Sequence, residues 1–174
     1  MKYFLLQEEE TCKNIPRILN WYQTAAEEDI DLDKFSEVKD KTLLRIHSSK
    51  ETMFTGVLTH PFLMIHEDIF EIINKYESGI PNKRLILLDE EEGLSQLYYL
   101  PLLRKLDCLS EKSVISNDKS KYKKIVLDGK KIKGRNIFWI LGHASVIPIV
   151  NLDLAESILR RGAKGIQLTE VEHV

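Results

Sequence analysis

Two short apolar runs, RLILLD at residues 84–89 and LYYLPLL at residues 97–103, stand on either side of an acidic break, EEEG at residues 90–93. Both runs are strand-sized, and the break ends in a glycine, the residue that takes a left-handed backbone at least cost. The pattern predicts an antiparallel hairpin with a loop longer than the two-residue kind. No other stretch restricts the fold as much, and the segment 83–113 is expected to be the scaffold on which the remaining elements pack. Side chains alternate across a strand, so the adjacent Tyr98 and Tyr99 must face opposite sides of it. One of the two is expected at the surface, as an anchor for a partner, unless a helix covers it.

The flanking sequence supplies two strong helical patterns. Residues 67–77 place Ile69, Phe70, Ile72, Ile73 and Tyr76 on one stripe, with Glu67 and Asp68 in the first turn and Gly79 just beyond the end. Residues 152–161 do the same with Leu154, Ala155, Ile158 and Leu159, capped by Asn151 or Asp153 and stopped at Gly162. Strands are expected at residues 2–7, 42–47, 123–128, 136–142 and 165–168. The Asp128-Gly129 turn would join two of these into a lysine-rich hairpin. Residues 11–21 suit a short helix entered at Pro16, and the acidic stretch 25–40 reads as a surface loop. Pro148, inside the apolar run 146–150, points to an edge or irregular position. A strand-rich middle with two principal helices predicts a single α+β domain, 1–174, on a mixed or mainly antiparallel sheet.

Chemistry is less forthcoming. The five histidines, His47, His60, His66, His143 and His173, make no His-x-x-x-His or cysteine–histidine spacing, so no metal site is expected. There is no Gly-x-Ser-x-Gly elbow and no glycine-rich phosphate loop. Glu90, Glu91 and Glu92 are neighbours in a turn, which makes solvated charge rather than the separated, desolvated pair of acid–base catalysis. An enzyme would have to join His143, in the GHAS segment, or His60 to a carboxylate. Cys12 and Cys108 are expected as reduced thiols in a cytoplasmic protein, because the apolar N-terminus is too short for an export signal and no run approaches the length of a membrane span.

Charge is unevenly spread. Residues 1–42 carry ten acidic and six basic side chains, whereas residues 119–135 carry eight basic and one acidic, within a chain of formal net charge −2. The basic run could track phosphates, but it is read first as a solvated edge, with nucleic-acid binding as an alternative.

Three segments, LYYLPLLRKLDCLSEKS at 97–113, KKIVLDGKKIKGRNIFWI at 123–140 and VNLDLAESILRRGAKGIQLTEVE at 150–172, resemble the eleventh immunity-protein family of bacterial polymorphic toxin systems, formerly a domain of unknown function. The resemblance covers residues 81–172; residues 1–80 match only in the order of elements. It implies a non-catalytic protein, without cofactor, that neutralises a cognate toxin domain by direct binding. For a basic toxin the expected contact is acidic: Glu27, Glu28, Asp29, Asp31 and Asp33, or the turn Glu90, Glu91 and Glu92. The alternatives are a small enzyme or a nucleic-acid-binding protein.

Overall fold

The two runs about the acidic break pair in register from Asn82↔Pro101 to Asp89↔Leu94, and the chain reverses over residues 90–93 with Gly93 at φ 65°. A computed structural model describes this hairpin and the rest of residues 1–21, 32–115, 122–142 and 147–174. In chain order the elements are β1 (Tyr3–Glu8), β2 (Arg17–Ile18), α1 (Leu32–Glu37), β3 (Lys41–His47), β4 (Val57–Leu58), β5 (Met64–His66) and α2 (Glu67–Tyr76). The hairpin strands are β6 (Asn82–Asp89) and β7 (Leu94–Pro101). There follow β8 (Lys105–Leu106), β9 (Val114–Ile115), β10 (Tyr122–Lys124), β11 (Val126–Leu127), β12 (Ile137–Ile140), β13 (Ile149–Asn151), α3 (Leu152–Arg160) and β14 (Ile166–His173).

The domain is α+β with two mixed six-stranded sheets. The first runs β2-β3-β6-β7-β5-β4, parallel only between β3 and β6. The second runs β11-β14-β1-β13-β12-β8, parallel at its two ends. The hairpin therefore organises one sheet, and β1, paired on both sides, organises the other. This corrects the expectation that everything packs on the hairpin.

Helices α2 and α3 pack in the central core between the sheets. Leu6, Val150 and Trp139 come from one sheet and Val57 and Ile65 from the other, meeting Ile69, Ile73, Leu154 and Ile158 of the helices. Tyr98 and Tyr99 do face opposite sides. Tyr98 is fully buried under α1, while Tyr99 stacks on Phe70 of α2 with ring centres 4.4 Å apart. Of the two candidate caps for α3, Asn151 is the one used, its Oδ1 accepting the Leu154 N–H at 2.9 Å. Its Nδ2 donates to Asn136 Oδ1, and Asn136 in turn donates to the Tyr76 carbonyl, so one buried amide ties both helices to the second sheet.

Several local expectations are overturned by tertiary pairing. No helix forms at residues 11–21; Arg17 and Ile18 pair with His47 and Ile46, and Ile18 and Trp21 pack against the core beneath the first sheet. Part of the expected loop 25–40 is helix α1, because Phe35 and Val38 are buried on that same core. The lysine-rich segment is not a hairpin: β11 runs parallel to β14, and β12 pairs with β13 and β8. Pro148 takes the irregular position rather than the edge, outside any strand. It lies one residue before the central strand β13, and its carbonyl accepts the Leu6 N–H. Leu159, placed on the α3 stripe by spacing, is 55% exposed.

The sheets are joined where residues 55–59 pass between them. The Tyr98 hydroxyl donates to the Thr55 carbonyl at 2.7 Å, the Gly56 N–H to the Lys164 carbonyl at 2.8 Å, and the Thr59 hydroxyl to Glu8 at 3.1 Å. Packing is so close here that a Cβ on Gly165, held at φ 63°, would overlap the Thr55 side chain at Cγ2. Gly93 has the same backbone hand and open space around it. Gly93→Ala should therefore cost only the left-handed backbone penalty, about 1 kcal/mol, and Gly165→Ala about 3 kcal/mol or more. Urea unfolding of the two variants measures the difference.

Candidate functional site

The residues that could carry chemistry are mostly committed to the fold. His66 caps α2: its Nδ1 accepts the Asp68 N–H at 3.3 Å, leaving Nε2 to donate to Gln96 Oε1 at 3.0 Å. His60 is exposed, precedes strand β5, and meets no carboxylate among the described residues. His143 lies outside the described residues. Both cysteines are free thiols. Burial pushes Cys108 up to about 11, and Cys12, half-exposed beside Glu9 and Met53, is also raised, by desolvation first and the Glu9 charge second. Among the described residues no three His, Cys, Asp or Glu side chains are grouped to hold a metal ion. Nor is any helix there long and apolar enough to cross a membrane.

The acidic turn is a built structure. Asp89, only 2% exposed, closes β6 and receives four donors. Its Oδ2 accepts the Ser48 N–H at 2.7 Å and the Ser48 hydroxyl at 2.6 Å. Its Oδ1 accepts the N–H groups of Glu91 at 2.9 Å and Glu92 at 3.0 Å. The Ser48 hydroxyl and these amides hold the carboxyl down at about 2, against the opposing effect of burial. Glu90, Glu91 and Glu92 are consequently presented outward on a fixed backbone, and all three are exposed. Glu90 lies 3.6 Å from Arg45 of β3. Asp89 was hidden among its acidic neighbours, although an aspartate two and three residues before the amides of a turn is the pattern of a side chain that closes it.

Of the other acidic candidates, Glu27, Glu28, Asp29 and Asp31 lie outside the described residues. Asp33 falls in α1 with its side chain outside them as well. The structure thus locates only the turn at residues 90–92. The basic run is partly neutralised, since Lys124 pairs with Glu172 at 2.8 Å and Lys131 with Asp107 at 3.5 Å, while Ile132 is fully buried.

A cleft of about 460 Å³ opens between the loop after α2 and the β7–β8 connection. Ile80, Leu103 and Ile137 line it with Glu77 and Arg104, and no histidine or cysteine reaches it. Such a lining can hold an apolar group. No protein-family model matches the chain, and no curated protein matches it.

The Asp89 clamp has a pH signature. An aspartate ionises near 3.9 in an unfolded chain and at about 2 here, so the unfolded state binds more protons between these values. The contribution is complete above about pH 4 and is lost as the pH falls through about 2. Asp89→Asn should flatten the dependence of unfolding free energy on pH within that window, as measured by urea titration from pH 5 to pH 2.

Proposed function

We propose that this chain is a non-catalytic, protein-binding protein of the immunity type, which neutralises a cognate bacterial toxin domain in the cytoplasm by direct contact. The observation that carries the reading is the turn at Glu90–Glu92: three exposed carboxylates held on a backbone pinned by the buried Asp89. A preordered acidic tip loses little conformational freedom on binding, and its field speeds the approach of a basic partner. The resemblance of residues 81–172 to the immunity family supplies the class of partner. The commitment of His66, Asp89 and Asn151 to structural hydrogen bonds supports a role without catalysis.

The test is co-expression with the products of the genes that flank this one, where the reading expects a toxin domain. The wild-type pair should co-purify and cells should survive toxin induction. The triple variant Glu90→Lys, Glu91→Lys, Glu92→Lys should associate at least about tenfold more slowly at low salt and lose most of the salt dependence of that rate. Absence of a complex and of protection with the wild-type chain defeats the reading; an unchanged association rate in the variant defeats the role of the tip.

A further inference from the structure

The first sheet has two faces, and among the described residues only one is fully covered. The inner face carries Leu44, Leu85, Leu87 and Tyr98 into the core under α1. The opposite face is covered at its β5 side, where Phe70 of α2 stacks on Tyr99. Strand register extends this outer face across three strands: Leu43 lies beside Ile86 and Ile86 opposite Leu97, forming one apolar row. None of the three belongs to a core cluster; Leu43 is 46% exposed, and Ile86 and Leu97 are half-buried. Leu19, which follows β2 and donates its N–H to the Arg45 carbonyl, is 47% exposed at the margin of this face.

Cations bracket the apolar row. On one side Lys41 of β3 stands beside Arg84 of β6 in register. On the other side stands Arg45, and His47 beyond it pairs in register with Arg17. All five are exposed. Like charges set opposite each other on adjacent strands destabilise a sheet, and the nearby Asp40 is paired with Lys83 at 2.6 Å rather than with Lys41 or Arg84. Arg45 lies 3.6 Å from Glu90 of the acidic tip, and Arg84 is offset in part by Asp40, whose carboxyl it helps to hold below the usual range after the larger effect of Lys83. An apolar row rimmed by polar charge on an otherwise well-packed domain marks a contact surface. The arrangement calls for a partner that brings leucine-like side chains together with carboxylates.

We propose that the open half of this face, centred on Leu43, Ile86 and Leu97 and rimmed by Lys41 and Arg84, docks an acidic amphipathic helix of a partner protein. The helix takes its place beside α2, which already covers the other half of the same face. Two properties select this occupant. The cationic rim complements carboxylates, and the row between the cations is aliphatic, without the aromatic platforms on which nucleic-acid bases stack. The inference rests on the reading of the chain as a protein-binding protein and adds a surface to the tip. Leu43 stands out in the sequence once β3 is placed, as an apolar residue at an outward position of an alternating strand.

The test uses the full chain and two synthetic 18-residue amphipathic helices with the same leucine face, one flanked by glutamates and one by lysines. Fluorescence anisotropy should show the glutamate helix binding at least about tenfold more tightly than the lysine helix. Methyl NMR signals of Leu43, Ile86 and Leu97 should shift on titration. Leu43→Ser should weaken binding, and Lys41→Glu with Arg84→Glu should reverse the preference between the peptides, whereas Lys133→Glu should leave it unchanged. Equal binding of both helices, no binding of either, or binding indifferent to these substitutions overturns the proposal. Tighter binding of anionic lipid vesicles or a single-stranded oligonucleotide through the same residues also overturns it. Protection by the wild-type chain without peptide binding removes this surface alone; peptide binding without a toxin complex removes the toxin reading alone.

Discussion

The passage of residues 55–59 between the two sheets is the constraint on which the rest of the structure depends. The Tyr98 hydroxyl donates to the Thr55 carbonyl, and burial, with the Glu8 charge adding to it, holds that phenol well above the usual tyrosine range. It therefore stays a donor at any physiological pH. Gly56 then donates to Lys164 and accepts from His66, so one residue without a side chain is hydrogen-bonded both to the segment before β14 and to the start of α2. A Cβ there would run into Ile69. Gly56 and Gly165 leave room in the seam for the side chains of Ile69 and Thr55, and Gly165 also takes the left-handed backbone that suits glycine.

With the seam in place, the buried polar groups become joints. Asn151 satisfies an orphan amide of α3 and clasps Asn136; Asp89 gathers four donors at the end of β6; Thr55 is used through both its hydroxyl and its carbonyl. Each of these hydrogen bonds holds a buried polar group in one place. At the surface two features adjoin. The acidic tip and the cationic-apolar face of the first sheet are linked by Arg45 and Glu90, the one ion pair that spans them among the described residues. A partner that met both would present opposite charges to the two regions.

Legibility followed the range of the interactions. The hairpin, α2 and α3 could be read because their signals are local: the acidic break, the 3.6-residue stripes, the cap at Asn151 and the stop at Gly162. The failures share one cause. Residues 17–18 became a strand because β3 offered an open edge, and residues 32–37 became a helix because Phe35 and Val38 had a core to enter. The lysine-rich segment looked like a hairpin across Asp128-Gly129, but β11 found β14 instead, a partner some 45 residues away in the chain. Nothing within a few residues of Val126 could have announced that choice. Of the site, Glu90–Glu92 was readable as exposed charge in a turn, whereas the face formed by Leu43, Ile86, Leu97, Lys41 and Arg84 was not.

By itself the sequence determined what short-range forces decide: the class of the domain, the hairpin and its outward acidic turn, the two principal helices and the opposite orientation of Tyr98 and Tyr99. Those follow from side-chain periodicity and from glycine and asparagine backbone chemistry, which act over a few residues. Tertiary structure alone decided which strands lie side by side, and hence that Lys41 stands beside Arg84 and Leu43 beside Ile86. Residues more than forty positions apart acquire a common surface only when a parallel register is chosen. That choice is made by burial of the opposite face, where Leu44, Leu85 and Leu87 enter the core.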